Sequence, residues 1–101
     1  MAKSKTITLV APQYRVDALK QRVPDGEQLR EVFCQIDSIS RAEWHDAAQK
    51  GLKAAYKVTV WPDEYQGEVT AILDGKRYGI YRTYQSDPDN LELYLERKAG
   101  A

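Results

Sequence analysis

His45 is the only histidine in the 101-residue chain and Cys34 the only cysteine, so the side chains that most often act as bases, nucleophiles and metal ligands occur once each. A histidine-based triad needs its imidazole beside a serine or cysteine and oriented by a third group. His45 instead stands next to Asp46, off the apolar side of a helical pattern, and reads as a solvated histidine. Cys34 has Val32 and Ile36 at two-residue spacing and reads as a small buried hydrophobe. A lone cysteine can form neither an intrachain disulfide nor a cysteine metal site. Carboxylates come in two notable pairs. Asp63-Glu64 lies in a loop pattern and reads as solvated, while Glu92 and Glu96 share the polar side of an alternating segment whose other side is leucine. Either pair could hold a cation weakly, but neither has the spacing of a dedicated calcium loop. The six glycines are isolated and open no GxGxxG or GxxxxGK phosphate loop. The expectation is a protein that is not an enzyme, with no catalytic residue, cofactor or metal assigned.

What remains is surface chemistry. Aromatic residues are mostly tyrosine, seven against one phenylalanine, a ring with an apolar body and a polar tip that suits half-buried faces and interfaces. Trp44 shares a narrow helical stripe with Ala47 and Ala48; it is expected in the core, with pinning a neighbour as the alternative. Trp61, Tyr65 and the set Tyr78, Tyr81 and Tyr84 are more suggestive of contact. On an unbroken strand Tyr78 and Tyr84 share one face and Tyr81 takes the other, so at least one ring lies outside a single-sided core. The candidate subunit-interface residues are therefore Trp44, Trp61, Asp63, Glu64, Tyr65, Tyr81 and Arg82.

The formal net charge is zero, from 15 Lys/Arg and 15 Asp/Glu, which argues against a protein built to grip phosphates. The charge is uneven. Residues 1–30 carry six basic and three acidic side chains, residues 31–75 four and eight, and residues 76–101 five and four. A basic start and an acidic middle could be complementary between neighbouring copies; the plainer reading is scatter. Residues 1–5 lack the apolar core of a secretory signal, and no apolar run has the length of a membrane span.

These residues need elements to hold them. Residues 5–10 alternate as a strand, with Ile7 and Leu9 on one face. Residues 11–28 contain Pro12, Pro24 and Asp25-Gly26 and read as a long N-terminal loop, with a weak helical pattern over 14–22. Residues 29–39 alternate again. Ser40 with Glu43 forms a capping-box pattern that predicts a helix from 41 to about 50, stopped by Gly51. Strands follow at 53–61, 68–73 and 76–84, then a polar turn around Pro88, then a last strand with Leu91, Leu93 and Leu95 buried. Asp74-Gly75, between two β-rich runs, predicts a tight hairpin turn. Residues 98–101 are expected to fray. The fold class is mainly β with one helix: a single domain over 1–101, a small antiparallel β-barrel or sandwich of about six strands, with the helix covering one opening.

The run Ser40-Arg41-Ala42-Glu43-Trp44, the strand Ala54-Ala55-Tyr56-Lys57-Val58-Thr59-Val60 and the corner Glu64-Tyr65-Gln66-Gly67-Glu68 occur in a recognisable order. They are followed by Asp74-Gly75-Lys76-Arg77-Tyr78-Gly79-Ile80-Tyr81-Arg82-Thr83-Tyr84 and by Leu91-Glu92-Leu93-Tyr94-Leu95-Glu96. Together, over residues 29–98, they resemble the head–tail joining proteins of tailed bacteriophages and prophages, the head-closure or stopper adaptors. The resemblance implies a small β-barrel with a helix and long loops. It implies a monomer before assembly, in the host cytoplasm, and a ring on the virion, expected to be a dodecamer, below the portal and its connector. That ring retains packaged DNA, which passes through the channel without specific binding, and presents the surface to which the tail completion proteins dock; no membrane is involved. It also implies a long loop that gates the channel, for which residues 11–28 and 38–53 are the two candidates. Alternatives are a tail-terminator or tail-completion ring, expected to be hexameric, and a small barrel that stacks nucleic-acid bases on its tyrosines.

Overall fold

A computed structural model describes residues 3–97 of the chain. The expected fraying of residues 98–101 lies outside the described residues. Six strands and one helix occur in the order β1 (Lys5–Val16), β2 (Arg22–Ser38), α1 (Arg41–Gln49), β3 (Ala54–Val60), β4 (Thr70–Leu73), β5 (Lys76–Asp87) and β6 (Asn90–Arg97), with a 3-10 turn at Pro62–Glu64. The strands close into an antiparallel barrel in the order β1-β2-β3-β6-β5-β4, so the barrel and not the sandwich is the architecture. Short β4 shuts the ring by pairing β1 over Thr8–Val10 on one side and β5 on the other.

Alternation decides which side chains fill the barrel. Ile7 and Leu9 of β1, Val32 and Cys34 of β2, Val58 and Val60 of β3, Ala71 and Leu73 of β4, and Leu93 and Leu95 of β6 form one buried cluster, joined by Tyr78 of β5. Closure leaves every paired strand with two neighbours, so one face of each points into a single apolar interior. Burial raises the Cys34 thiol to about 11, which keeps it protonated and unreactive. The Asp74-Gly75 turn has positive φ at both positions, 51° and 77°, the conformation that a two-residue hairpin between right-twisted strands demands.

Residues 11–28 are not a loop. β1 runs on to Val16 and β2 begins at Arg22, paired in register from Ala11↔Gln28 to Val16↔Arg22 with one irregularity between Pro12 and Tyr14. The helical pattern over 14–22 is strand and turn. Pro12 and Pro24 argued for a loop, yet each strand of a two-stranded ribbon has one unpartnered edge, where a missing N–H costs little. This ribbon stands clear of the barrel. It accounts for extents of 50 × 30 × 24 Å and a radius of gyration of 15.0 Å, against about 13 Å for a compact domain of this length.

The tyrosine pattern on β5 also differs from the expectation. The register shifts between Ile80 and Arg82, so Tyr81 is the extra residue of a β-bulge. The bulge inverts the alternation: Ile80 lies opposite inward Leu95, whereas Arg82 lies opposite Tyr94 and Tyr84 opposite Glu92. Tyr78 is therefore in the core and Tyr84 on the exterior, not on one face.

Candidate assembly surfaces

Four surfaces stand out, and each begins with a residue that the fold declines to bury. The first is the arm, the ribbon formed by residues 11–28. Its apolar side chains Tyr14, Val16 and Leu19 are 48%, 66% and 77% exposed. The tip is built by Asp17, whose carboxylate accepts from the amides of Leu19 (2.8 Å) and Gln21 (2.9 Å), an Asx-type closure. The guanidinium of Arg22 lies 4.4 Å from the Tyr14 ring centre, and Arg15 reaches Asp25 at 3.9 Å. Nearer the barrel, Arg77 holds Glu27 through two hydrogen bonds, and that contact lowers the Glu27 pKa.

The second surface is α1. Ser40 caps it, its hydroxyl accepting from the Glu43 amide at 3.1 Å, and Gly51 past its end takes a φ of 78°. Only half of the expected capping box forms. The Glu43 carboxylate turns to the barrel, where it accepts from Arg82 and, at 2.6 Å, from the Tyr81 hydroxyl on the β5 bulge. Arg82 in turn stacks 3.9 Å over Tyr94. The Arg82 guanidinium, helped by the Tyr81 hydroxyl and opposed by burial, holds the Glu43 carboxyl below its ordinary range. Burial first, and then Glu43, pushes the Tyr81 hydroxyl up. Tyr94 is pushed up to about 12 by burial and by Glu92. This latch carries the attachment, because Ala47 is the only buried residue of the helix. The helix thus meets the barrel at β3 and at the β5 bulge.

Trp44 corrects the expectation of a core tryptophan: it is 55% exposed, as the stripe it shares with Ala47 and Ala48 is too narrow to bury all three. Open grooves of about 970 and 640 Å³ flank it. One is lined by Ile39, Arg41, Ala42 and His45, the other by Leu52, Lys53, Ala54, Tyr56 and Arg97 among others. The first is mostly apolar and the second mixed, and cationic side chains line both.

The third surface is the corner that follows β3. Trp61 is 45% exposed and carries the Lys3 ammonium 3.7 Å above its ring. Asp63 is exposed. Glu64 faces Arg30 at 3.6 Å and its carbonyl accepts from the same guanidinium. Arg30 also meets the buried Glu68 at 2.6 Å, and Glu68 accepts from the Gln66 amide at 2.7 Å. Burial works to raise the Glu68 pKa, but these two donors hold it below its ordinary value. Tyr65 packs against the core with its hydroxyl donating to the Glu68 carbonyl at 2.6 Å. Glu64, Tyr65 and Glu68 thus fasten the corner to the barrel and present Trp61 and Asp63.

The fourth is a polar cleft over the outer face of β2, β3 and β6, floored by Asp37, Lys57, Thr59 and Glu92 and bridged at its rim by Lys3, which donates to Asn90 at 2.6 Å.

Of the seven interface candidates, Trp44, Trp61 and Asp63 are exposed; Glu64 and Arg82 are about half exposed but ion-paired to Arg30 and Glu43, and the Tyr65 and Tyr81 hydroxyls donate within the chain. Residues 11–28, expected as a candidate gating loop, are a paired ribbon, and none of the seven interface candidates lies on it. Its signal was present in Tyr14, Val16, Arg22 and their near-alternation, masked by two prolines. Among the described residues no group of three His, Cys, Asp or Glu side chains could hold a metal ion, and no helix is long and apolar enough to cross a membrane. No protein-family model and no curated protein matches the chain.

Proposed function

We propose that this chain is a structural subunit of a ring at the head–tail junction of a tailed phage or prophage, of the head-closure kind. The observation that carries the reading is the projecting arm on a closed barrel. A two-stranded ribbon with exposed Tyr14, Val16 and Leu19 is marginal in water by itself. Its exposed apolar surface is stabilised when a partner covers it. The reading gains support from the order of motifs over residues 29–98 and from the accessible Trp44 and Trp61, residue types that dominate contact energetics. In this role the barrel is a rigid spacer and the arm and helix supply contacts. A net charge of zero suits a ring through which DNA passes without being held.

The test is electron microscopy of lysates from a phage lacking the gene. The closure role predicts heads that lose DNA beside complete free tails, with connected particles restored by the intact gene. Complementation with a chain whose arm is replaced by a two-residue turn should leave heads open. Tails of irregular length beside sealed heads would instead assign a tail-terminator role.

A further inference from the structure

The two grooves beside Trp44 share one electrostatic property. Their linings contain three cations, Arg41, Lys53 and Arg97, and no carboxylate. The occupant that complements them is acidic and carries an apolar anchor. Among the exposed segments that join an aromatic ring to carboxylates, residues 61–64 offer the larger ring: half-exposed Trp61, then Pro62, exposed Asp63 and partly exposed Glu64. In residues 84–89, with exposed Tyr84, Asp87 and Asp89, the Asp87 carboxylate is already taken up by the Asp89 amide and the Asn90 side chain. The arm tip has apolar side chains too, but Arg15, Lys20 and Arg22 would set it against like charge. The corner of the same copy cannot fill its own grooves. Lys53 and Arg41 lie before β3 and Trp61 after it, so a seven-residue strand of about 20 Å separates them. Lys3 and Arg30 further hold the corner at its own end.

We infer that residues 61–64 of one copy dock in the grooves flanking Trp44 of a second copy. Trp61 packs beside Trp44, and Asp63 and Glu64 face Arg41, Lys53 and Arg97. The contact joins two different patches of identical chains. It is head-to-tail, and repeated by a fixed rotation it closes a ring or extends a filament. It rests on the ring reading for closure and sharpens it by naming the two faces.

Zero-length carbodiimide coupling joins a carboxylate only to an amine in contact with it. Equal amounts of ordinary and nitrogen-15-labelled full-length chain, mixed at about 1 mM so that weak contacts are populated, should yield a mixed-isotope peptide linking Asp63 or Glu64 to Lys53. Trp44→Ala should lower its yield at least about tenfold. The double variant Asp63→Lys/Glu64→Lys should abolish it. Mixing that variant with Arg41→Glu/Lys53→Glu should restore coupling through the reversed carboxylate–amine pair. Absence of the mixed-isotope link, a link indifferent to Trp44→Ala, or failure of the charge swap between variants with unchanged circular dichroism overturns the contact. Sedimentation separates the two readings. Rings lacking this link keep the ring and remove the contact, and the link in open chains keeps the contact and removes closure.

Discussion

β1 passes through two environments in twelve residues. In its first half Ile7 and Leu9 are 1% and 0% exposed; in its second half Tyr14 and Val16 stand in solvent. The backbone is extended throughout and paired to the same partner, β2. The difference is the number of neighbours. Between Thr8 and Val10 the strand has β4 on its other side and a closed interior beneath it. Beyond Val10, among the described residues, it pairs with β2 alone, and Tyr14 and Val16 stay exposed. Local propensity is thus enough for strand pairing, whereas burial requires closure. The barrel buries its own apolar side chains, and the arm leaves Tyr14 and Val16 exposed.

The contrast can be broken first at the core. Leu93→Ala removes a fully buried side chain in the barrel and should cost about 4 kcal/mol in urea unfolding. A cost below about 1 kcal/mol would mean that the interior is not packed as described. Next is the junction, where Arg30 neutralises Glu68, whose side chain is 3% exposed. Arg30→Ala leaves a buried carboxylate without its partner and should cost about 3 kcal/mol. Arg30→Ala/Glu68→Gln should recover part of that loss; no recovery would place the effect elsewhere.

The latch should give a smaller, pH-dependent effect. Because the folded Glu43 pKa lies below its ordinary value of 4.5, the latch contributes stability above that value and loses it as pH falls through the depressed pKa. Glu43→Gln should cost about 1–2 kcal/mol at neutral pH and flatten the acid limb of the stability curve. An unchanged limb would show that the latch does not hold the helix.

The smallest effect belongs to the arm. Leu19→Ala, at a position 77% exposed, should change stability by less than about 0.5 kcal/mol. Arm amides beyond Val10 should exchange with solvent at least about 100-fold faster than those of β3 and β6. Equal protection of arm and barrel in dilute protein would remove the distinction between them.

Several features were legible because they depend on near neighbours. Asp74-Gly75 fixes a turn through backbone conformation alone, Ser40 caps the next turn of helix, and Leu91, Leu93 and Leu95 declare one face of a strand. Others depended on residues far away in the chain. Glu43 matched a capping box but accepts from Tyr81 and Arg82, 38 and 39 residues on. Trp44 looked like core, yet among the described residues it stays 55% exposed on the outer side of the helix. The bulge at Tyr81 inverted the tyrosine pattern because strand register is set by pairing with β6 and not by the sequence of β5.

The sequence by itself determined a β-rich chain with one capped helix, the hairpin at Asp74-Gly75 and the apolar set that fills the interior. Those follow from alternation, capping and turn chemistry, all of which act over a few residues. Only the tertiary structure decided that the sheet closes, that residues 11–28 project as a paired arm, and that Trp44 and Trp61 face solvent at opposite ends of β3. Closure and exposure depend on which segments find a second neighbour, and that depends on contacts between residues distant along the chain.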